Sequence, residues 1–363
     1  MNSRERTLAA VSHGRPDRVP IDFWGSAGFI RKIETELKLS YPAFLDSFDV
    51  DIRYIPGPIY IGPKLRVFPD GSNEDIWGVR RRPVRIEIKH GYEEYQELAV
   101  SPLAGLQTVE EIDRYDHWPV PEWFDYRPVS GQCEVIRRKG RAAAFMGDRL
   151  NRVAQLKPAM YLRGVEQIML DLALQPDLAE RIFSRIRKFY LGYAERVLEA
   201  ANGRLDIFVT GDDFGSQNGP LISPDMWVRF LGKGFADYAG LAKSRSAAVM
   251  HHTCGSVRPL IPLLVERGLD ILQSLQPETQ DMDPSVLKAE FGQKLVFHGG
   301  ISIQRTMPFG TAADIEREVQ AKIAALAAGG GYILGTAHNL QADVPVENAL
   351  ALLKAYHKYG RYN

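Results

Sequence analysis

His252-Thr253-Cys254 sets an imidazole and a thiol two positions apart. In an extended segment such residues point to the same side, so both can reach one ion. Zinc suits the pair, because it accepts mixed nitrogen and sulfur ligands and needs no redox role. A catalytic zinc takes three protein ligands, and the groups available for the remaining place are, in order of preference, His338, Asp213, His298 and Asp212. The plainer alternatives are that Cys254 is a small buried residue at a strand end, and that Asp212 and Asp213 cap a helix.

The elements that must position these groups follow from the apolar pattern. From about residue 142 onward, short uncharged runs at 142–146, 205–209, 247–250, 269–272, 295–297 and 332–334 alternate with helical patterns, as expected of buried parallel strands joined by crossover helices. Polar residues follow each run: Gly147-Asp148, then Gly211-Asp212-Asp213 continuing to Gln217, His251 to Gly255, Gln273, His298-Gly299-Gly300, and Gly335 to Asn339. In a (β/α)8 barrel the chemistry lies at the carboxyl ends of the strands, so these groups would converge on one rim.

Among the helices, Asp177 and Glu180 suggest a capped start, after which Leu178, Ile182, Ile186, Phe189, Tyr193 and Val197 recur at helical spacing up to Asn202-Gly203. Thr311 and Asp314 begin another helix, and a last one starts at Pro345. The first third differs. An opening helix at 5–11 and a short run at 19–23 precede alternating stretches at 51–98, such as Val84-Arg85-Ile86-Glu87-Ile88, which read as antiparallel hairpins inserted over the barrel mouth. Residues 118–128 read as a packed loop, and Cys133 as structural. Trp24, Tyr60, Trp77 and Trp123 could wall a pocket, although packing is the commoner role of aromatic side chains.

The 363 residues fit one barrel domain over 1–363 carrying the 51–98 insertion. With 45 basic and 45 acidic side chains the net charge is zero, which argues against nucleic acid as a partner. The charged first residues and the lack of a long apolar run argue against a membrane and lead to a cytoplasmic expectation. Two cysteines, Cys133 and Cys254, are too few for a disulfide framework.

Several longer motifs carry a family resemblance. Ser3-Arg4-Glu5-Arg6 with Arg15-Pro16-Asp17-Arg18-Val19-Pro20, the stretch from Gly211 to Gln217, Phe297-His298-Gly299-Gly300-Ile301 and the stretch from His338 to Asn348 resemble the uroporphyrinogen decarboxylase superfamily nearly end to end. The resemblance implies a (β/α)8 barrel and one of two activities. One is cofactor-free decarboxylation of uroporphyrinogen; the other is zinc-dependent methyl transfer between a corrinoid and a thiol or a methylated donor.

The decarboxylases carry an Arg-Gln-Ala-Gly-Arg stretch whose arginines hold the substrate carboxylates. The corresponding region here, from Phe23 to Arg31, keeps Ala27-Gly28 and lacks both of those arginines, so only Arg18 and Arg31 remain as candidates for that task. His252-Thr253-Cys254-Gly255 matches the His-x-Cys-Gly of the methyltransferases, whereas their further cysteine is absent from Gly335-Thr336-Ala337-His338. Either His338 replaces the missing thiolate or no tight zinc site exists; on the first reading zinc is held by His252, Cys254 and His338, with Asp213 and Asp212 orienting ligands or moving a proton and Gln217 positioning the substrate. A small methyl donor or thiol and a corrinoid are the expected reactants. No corrinoid-binding domain is recognisable, which points to a corrinoid protein in trans. A metal-free carboxy-lyase and a non-catalytic ligand-binding barrel are the alternatives.

Overall fold

The computed structural model describes residues 1–88, 91–147 and 152–362. Seven strands form one curled sheet in chain order: β1 (Ile52–Tyr54), β2 (Ala142–Phe145), β3 (Ile207–Gly211), β4 (Ala248–His252), β5 (Ile271–Leu275), β6 (Val296–Ile301) and β7 (Tyr332–Thr336). All neighbours pair in parallel. Residues 20–23 supply the eighth stave. Leu334 N–H donates to the Pro20 carbonyl at 2.8 Å and Asp22 N–H to that of Leu334 at 2.9 Å, while on the other side Asp51 N–H donates to Ile21 at 3.0 Å. This is the expected (β/α)8 barrel.

The period of two along each strand sorts side chains into two cores. Ile52, Ala142, Ala144, Ile207, Val209, Met250, Ile271, Val296 and Ile333 pack together inside the ring. Their neighbours Ala143, Phe145, Phe208, Val249, Leu272, Phe297 and Leu334 pack outward, in one cluster with helical residues. Continued by one step, the interior parity passes to Tyr54, Gly211, His252, Gln273, His298 and Gly335. The apolar filling thus gives way to a polar layer at the carboxyl end.

The helices follow their local signals. Pro176–Ala201 starts with proline at its first position and ends at Asn202 in the left-handed conformation; Asp177 lies in its first turn, and no side chain caps it. Thr311 and Asp314 form the expected capping box of Ala312–Leu326, and the last helix runs Val346–Tyr359 after Pro345. Cys133 is buried in the helix Pro128–Arg138. No helix of the described residues is long and apolar enough to cross a membrane.

Arg80–Ile88 pairs antiparallel with Gly91–Val100, and Asn73–Glu74 adds a third strand, so the hairpin expectation holds for this part of the chain. The expected range 51–98 needs a correction, because Ile52–Tyr54 within it is a barrel strand. Arg53 interrupts its apolar pattern and hid it; the guanidinium turns away to Asp46 and to the carbonyls of Val50 and Ile52. The hairpin is tied down at the mouth, where Glu93 accepts from Ala342 N–H at 2.8 Å and from the Ser26 hydroxyl.

The amino ends of the strands share one device. Asp51, Asp206 and Asp270 each precede a strand and accept the N–H of Ile21, Ala143 and Val249 on the preceding stave, at 2.8, 2.9 and 2.8 Å. Asp51 is fully buried and also receives Arg6 at 2.6 Å and Arg18 at 2.8 Å. Removing it would leave two guanidinium groups without this counter-charge beside the closing stave. Asp51→Ala should therefore lower unfolding stability by about 3–5 kcal/mol. Urea denaturation checks this.

Candidate metal centre and active site

Strand register decides the first ligand. His252 ends β4 and lies opposite Gln273 of β5. Its Nδ1 lies 2.5 Å from Gln273 Oε1, an acceptor, so Nδ1 carries the proton and Nε2 keeps its lone pair. Cys254 follows two residues later, with Sγ 3.6 Å from that Nε2. His338 comes from beyond the end of β7, its ring centroid 5.5 Å from that of His252. One ligand atom from each of the three lies within 4.8 Å of the others. Two ligands of one tetrahedral zinc stand roughly 3.3–3.8 Å apart, so the cluster is of the right size for one ion.

Burial and one carboxylate govern the charge state. Burial drives His252 well below the usual imidazole range, with Arg152 adding to the effect, and it lowers His338 as well. Both rings are neutral at pH 7, as ligation requires. Burial and then the Asp213 charge push the Cys254 thiol up to about 12. Asp213 accepts from Cys254 N–H at 3.2 Å, lies 3.6 Å from His252 Nε2 and pairs with the Lys157 ammonium. Burial alone would raise its pKa, but the Lys157 ammonium outweighs that and holds it well below the usual carboxylate range.

The other candidates separate. Asp212 lines the cavity beside the cluster, and its carboxylate accepts N–H of Gln155 at 2.6 Å, Leu156 at 3.0 Å and Lys157 at 2.7 Å, at the start of the helix Leu156–Arg163. It caps a helix that precedes it in the chain. Gln217 is exposed in the loop after β3, where its carbonyl accepts from Gln280 N–H, apart from the residues that line the cavity. His298 is spent on Asp22 at 2.9 Å, and Trp24 has its ring centroid 6.0 Å from both His298 and His252. Asp148 lies outside the described residues.

A cavity of about 500 Å³ opens against the cluster, lined among others by His252, His338, Asp213, Lys157, Arg152, Arg81, Trp77, Tyr161 and Tyr190. Trp77 thus reaches the pocket, whereas Tyr60 and Trp123 pack edge-on against each other. Sequence reasoning missed Arg81, Arg152 and Lys157. Arg81 sits in Arg80-Arg81-Arg82, which reads as a solvated edge strand, and Lys157 looks like an ordinary helix-surface residue. Arg152 carried a usable signal, since it follows the polar end of β2 as the other rim residues follow theirs. Arg18 and Arg31 stay out of the cavity: the first pairs with Asp49 and Asp51, and the second lies over the Tyr92 ring near Glu94.

Residues 152–359 match the family model described as uroporphyrinogen decarboxylase (URO-D). The uroporphyrinogen decarboxylase of Pseudoalteromonas atlantica is 35% identical over 81 residues, 22% of each chain. The methylated-thiol–coenzyme M methyltransferase of Methanosarcina mazei is 24% identical over 198 residues, 54% of this chain and 49% of that one. The chain thus spans less than half the length of the curated relatives it matches. A solved methyltransferase from Methanosarcina mazei superposes over 99% of both chains with a TM-score of 0.68 at 19% identity, a likeness of fold. With its family match extending over more than half of its length, the chain belongs to the uroporphyrinogen decarboxylase family.

Proposed function

We propose that this protein is a zinc-dependent methyltransferase that moves a methyl group between a small methylated substrate or thiol and a corrinoid carried by a partner protein. The observation that carries this reading is the convergence of His252, Cys254 and His338 within 4.8 Å of one another, with His252 and His338 on the cavity wall. The donor set fits the metal: two imidazoles and a thiol, with Gln273 holding one ring in the ligating tautomer. Bound there, zinc supplies Lewis acidity toward the heteroatom that carries or receives the methyl group.

The chain's own residues do the rest. Asp213 and Lys157 form an ion pair beside the cluster, holding the Cys254 backbone and balancing charge at the rim. Trp77, Tyr161 and Tyr190 give the cavity apolar walls that exclude water from a small substrate. A cavity of this size encloses a small molecule, so a corrinoid would approach from outside the mouth. One thiolate and two neutral imidazoles leave a zinc site net positive, which favours polarising a methylated donor over enriching a bound thiolate. A metal-free carboxy-lyase is the second reading, favoured by one observation: Arg81 and Arg152 line the cavity where substrate carboxylates could sit.

Elemental analysis separates the two readings. The methyltransferase proposal expects about one zinc per chain, as one such site requires, and its loss together with corrinoid-dependent demethylation in Cys254→Ser and in His338→Ala. Wild-type protein that stays metal-free after incubation with zinc would turn the reading to the carboxy-lyase. Gln273→Met, which removes the partner of His252 Nδ1, should weaken zinc binding about 10–100-fold with the fold intact.

The pH dependence of zinc affinity has a definite sign. Both histidines are depressed below 6.5 and release no proton above pH 7, whereas the Cys254 thiol, raised to about 12, must release one on binding. Apparent affinity should therefore rise about tenfold per pH unit from about pH 7 to 9. Competition titration against a chromophoric chelator measures the slope, and a flat profile would exclude Cys254 as a ligand.

A further inference from the structure

Beside the metal cluster, three staves contribute to a hydrogen-bonded group that the proposed chemistry does not use. Asp22, on the closing stave, accepts the hydroxyl of Tyr54 from the end of β1 at 2.6 Å and lies 2.9 Å from Nε2 of His298 on β6. Its other oxygen accepts Phe23 N–H at 2.9 Å. Asp22 and His298 are both buried. The carboxylate is the acceptor for all three groups, so Nε2 of His298 carries the proton and the phenol donates. Burial and then the Asp22 charge hold Tyr54 well above the ordinary phenol range, which keeps that proton in place. A Cβ on Gly335 would lie 3.3 Å from His298 Cε1 and 3.4 Å from the Asp22 carbonyl oxygen, so glycine there lets the imidazole lie close against the closing stave.

The two side chains that Asp22 holds are also ring neighbours of Trp24. The indole stands edge-on to Tyr54 with centroids 5.5 Å apart, and 6.0 Å from His298. Its third such neighbour is His252, at 6.0 Å. The indole thus fills the space between two groups fixed by one carboxylate and a ring of the metal cluster. Its backbone reaches the other imidazole: the Trp24 carbonyl accepts Leu340 N–H at 3.0 Å, and Ser26 N–H donates to the Leu340 carbonyl at 2.8 Å. Leu340 lies two residues after His338, whose ring centroid is 5.5 Å from that of His252. Trp24 therefore packs on one histidine and is tied through the main chain to the loop that carries the other.

We propose that Asp22 is a positioning residue of the metal centre: it clamps Tyr54 and His298 around Trp24, and the indole so held sets how the His252 and His338 rings approach one ion. The proposal rests on the reading of His252, Cys254 and His338 as zinc ligands. Such ligands work only when packing and hydrogen bonds beyond the ligands themselves hold them within about 0.5 Å of the required geometry. For His252, Gln273 supplies the hydrogen bond and Trp24 the packing face. Without the carboxylate, two donors lose their acceptor and the cage around the indole loosens, although no atom of Asp22 touches the metal ligands.

The test uses the full chain. Zinc affinity is measured by chelator competition in wild type, Asp22→Asn, Tyr54→Phe, the double variant and Tyr356→Phe, with thermal unfolding of each. Tyr356 gives its hydroxyl to the Val19 carbonyl at 2.7 Å, so its variant removes a buried bond of similar kind outside the clamp. In parallel, metal-free protein labelled with 5-fluorotryptophan is observed by fluorine NMR, where Trp24→Phe identifies one of the five tryptophan signals. Asp22→Asn should weaken zinc binding about tenfold or more. Tyr54→Phe should weaken it less, and the double variant no more than Asp22→Asn, as members of one clamp are not additive. The Trp24 signal should move in both single variants, while Tyr356→Phe changes neither reading. Should Asp22→Asn fail to fold, the same two readings on Tyr54→Phe decide. Unchanged zinc affinity or an unmoved Trp24 signal in the folded variant, or an equal loss of affinity in Tyr356→Phe, would overturn the proposal. Protein that takes up no zinc while its Trp24 signal moves would overturn the methyltransferase reading and leave the clamp on Trp24 standing.

Discussion

Closure of the barrel is the constraint on which the rest depends. His252 and Cys254 leave the ring at β4, and His338 leaves it at β7, three staves further round. Their side chains meet only because the ring is closed, and it closes only because residues 20–23 bond to β7 on one side and to Asp51 on the other. Asp51 holds this seam with a buried carboxylate that takes a backbone N–H and two guanidinium groups at once. A structural charge network at the amino end thus supports a chemical one at the carboxyl end, with the apolar interior layers between them.

The change from apolar to polar along the barrel axis follows from strand parity. Below, interior positions are filled by Ile, Val, Ala and Met. One step further they carry His252, Gln273, His298 and two glycines, and each polar group there is assigned a partner by register. Gln273 lies opposite His252, and His298 meets Asp22 from the closing stave. The two histidines are of the same type and sit at similar depth, yet one is free to ligate through Nε2 and the other is held by a carboxylate. The neighbour on the adjacent stave makes that difference.

The site also shows how charge is distributed by secondary structure. Asp212 and Asp213 are adjacent in sequence and point to different tasks, one toward the amino end of a helix and one toward Lys157 and His252. Burial pushes Asp212 up to about 6, against the pull of three backbone N–H donors, while Lys157 keeps Asp213 ionised. Both are largely ionised at pH 7, and the second lies beside His252.

The sequence by itself determined the barrel class, most barrel strands, the main helices and the placing of His252 and Cys254 together at the end of β4, because these rest on short-range patterns: buried apolar runs, helical spacing, capping residues, and the same-side geometry of His-x-Cys. It also pointed to His338, through the place of that residue after the last strand. Only the tertiary structure decided which polar groups on the rim are engaged elsewhere. Asp212 accepts from Gln155 N–H, 57 residues earlier and just before a helix, His298 meets Asp22, 276 residues away in the chain, and Gln217 lies on the solvent-exposed side of its loop. The same holds for β1, masked by the outward-turned Arg53, and for Arg81 and Arg152, which come from a hairpin and a loop. Pairing between distant staves and the burial it produces are set by closure of the ring, and local sequence carries no record of which partner each polar side chain will meet.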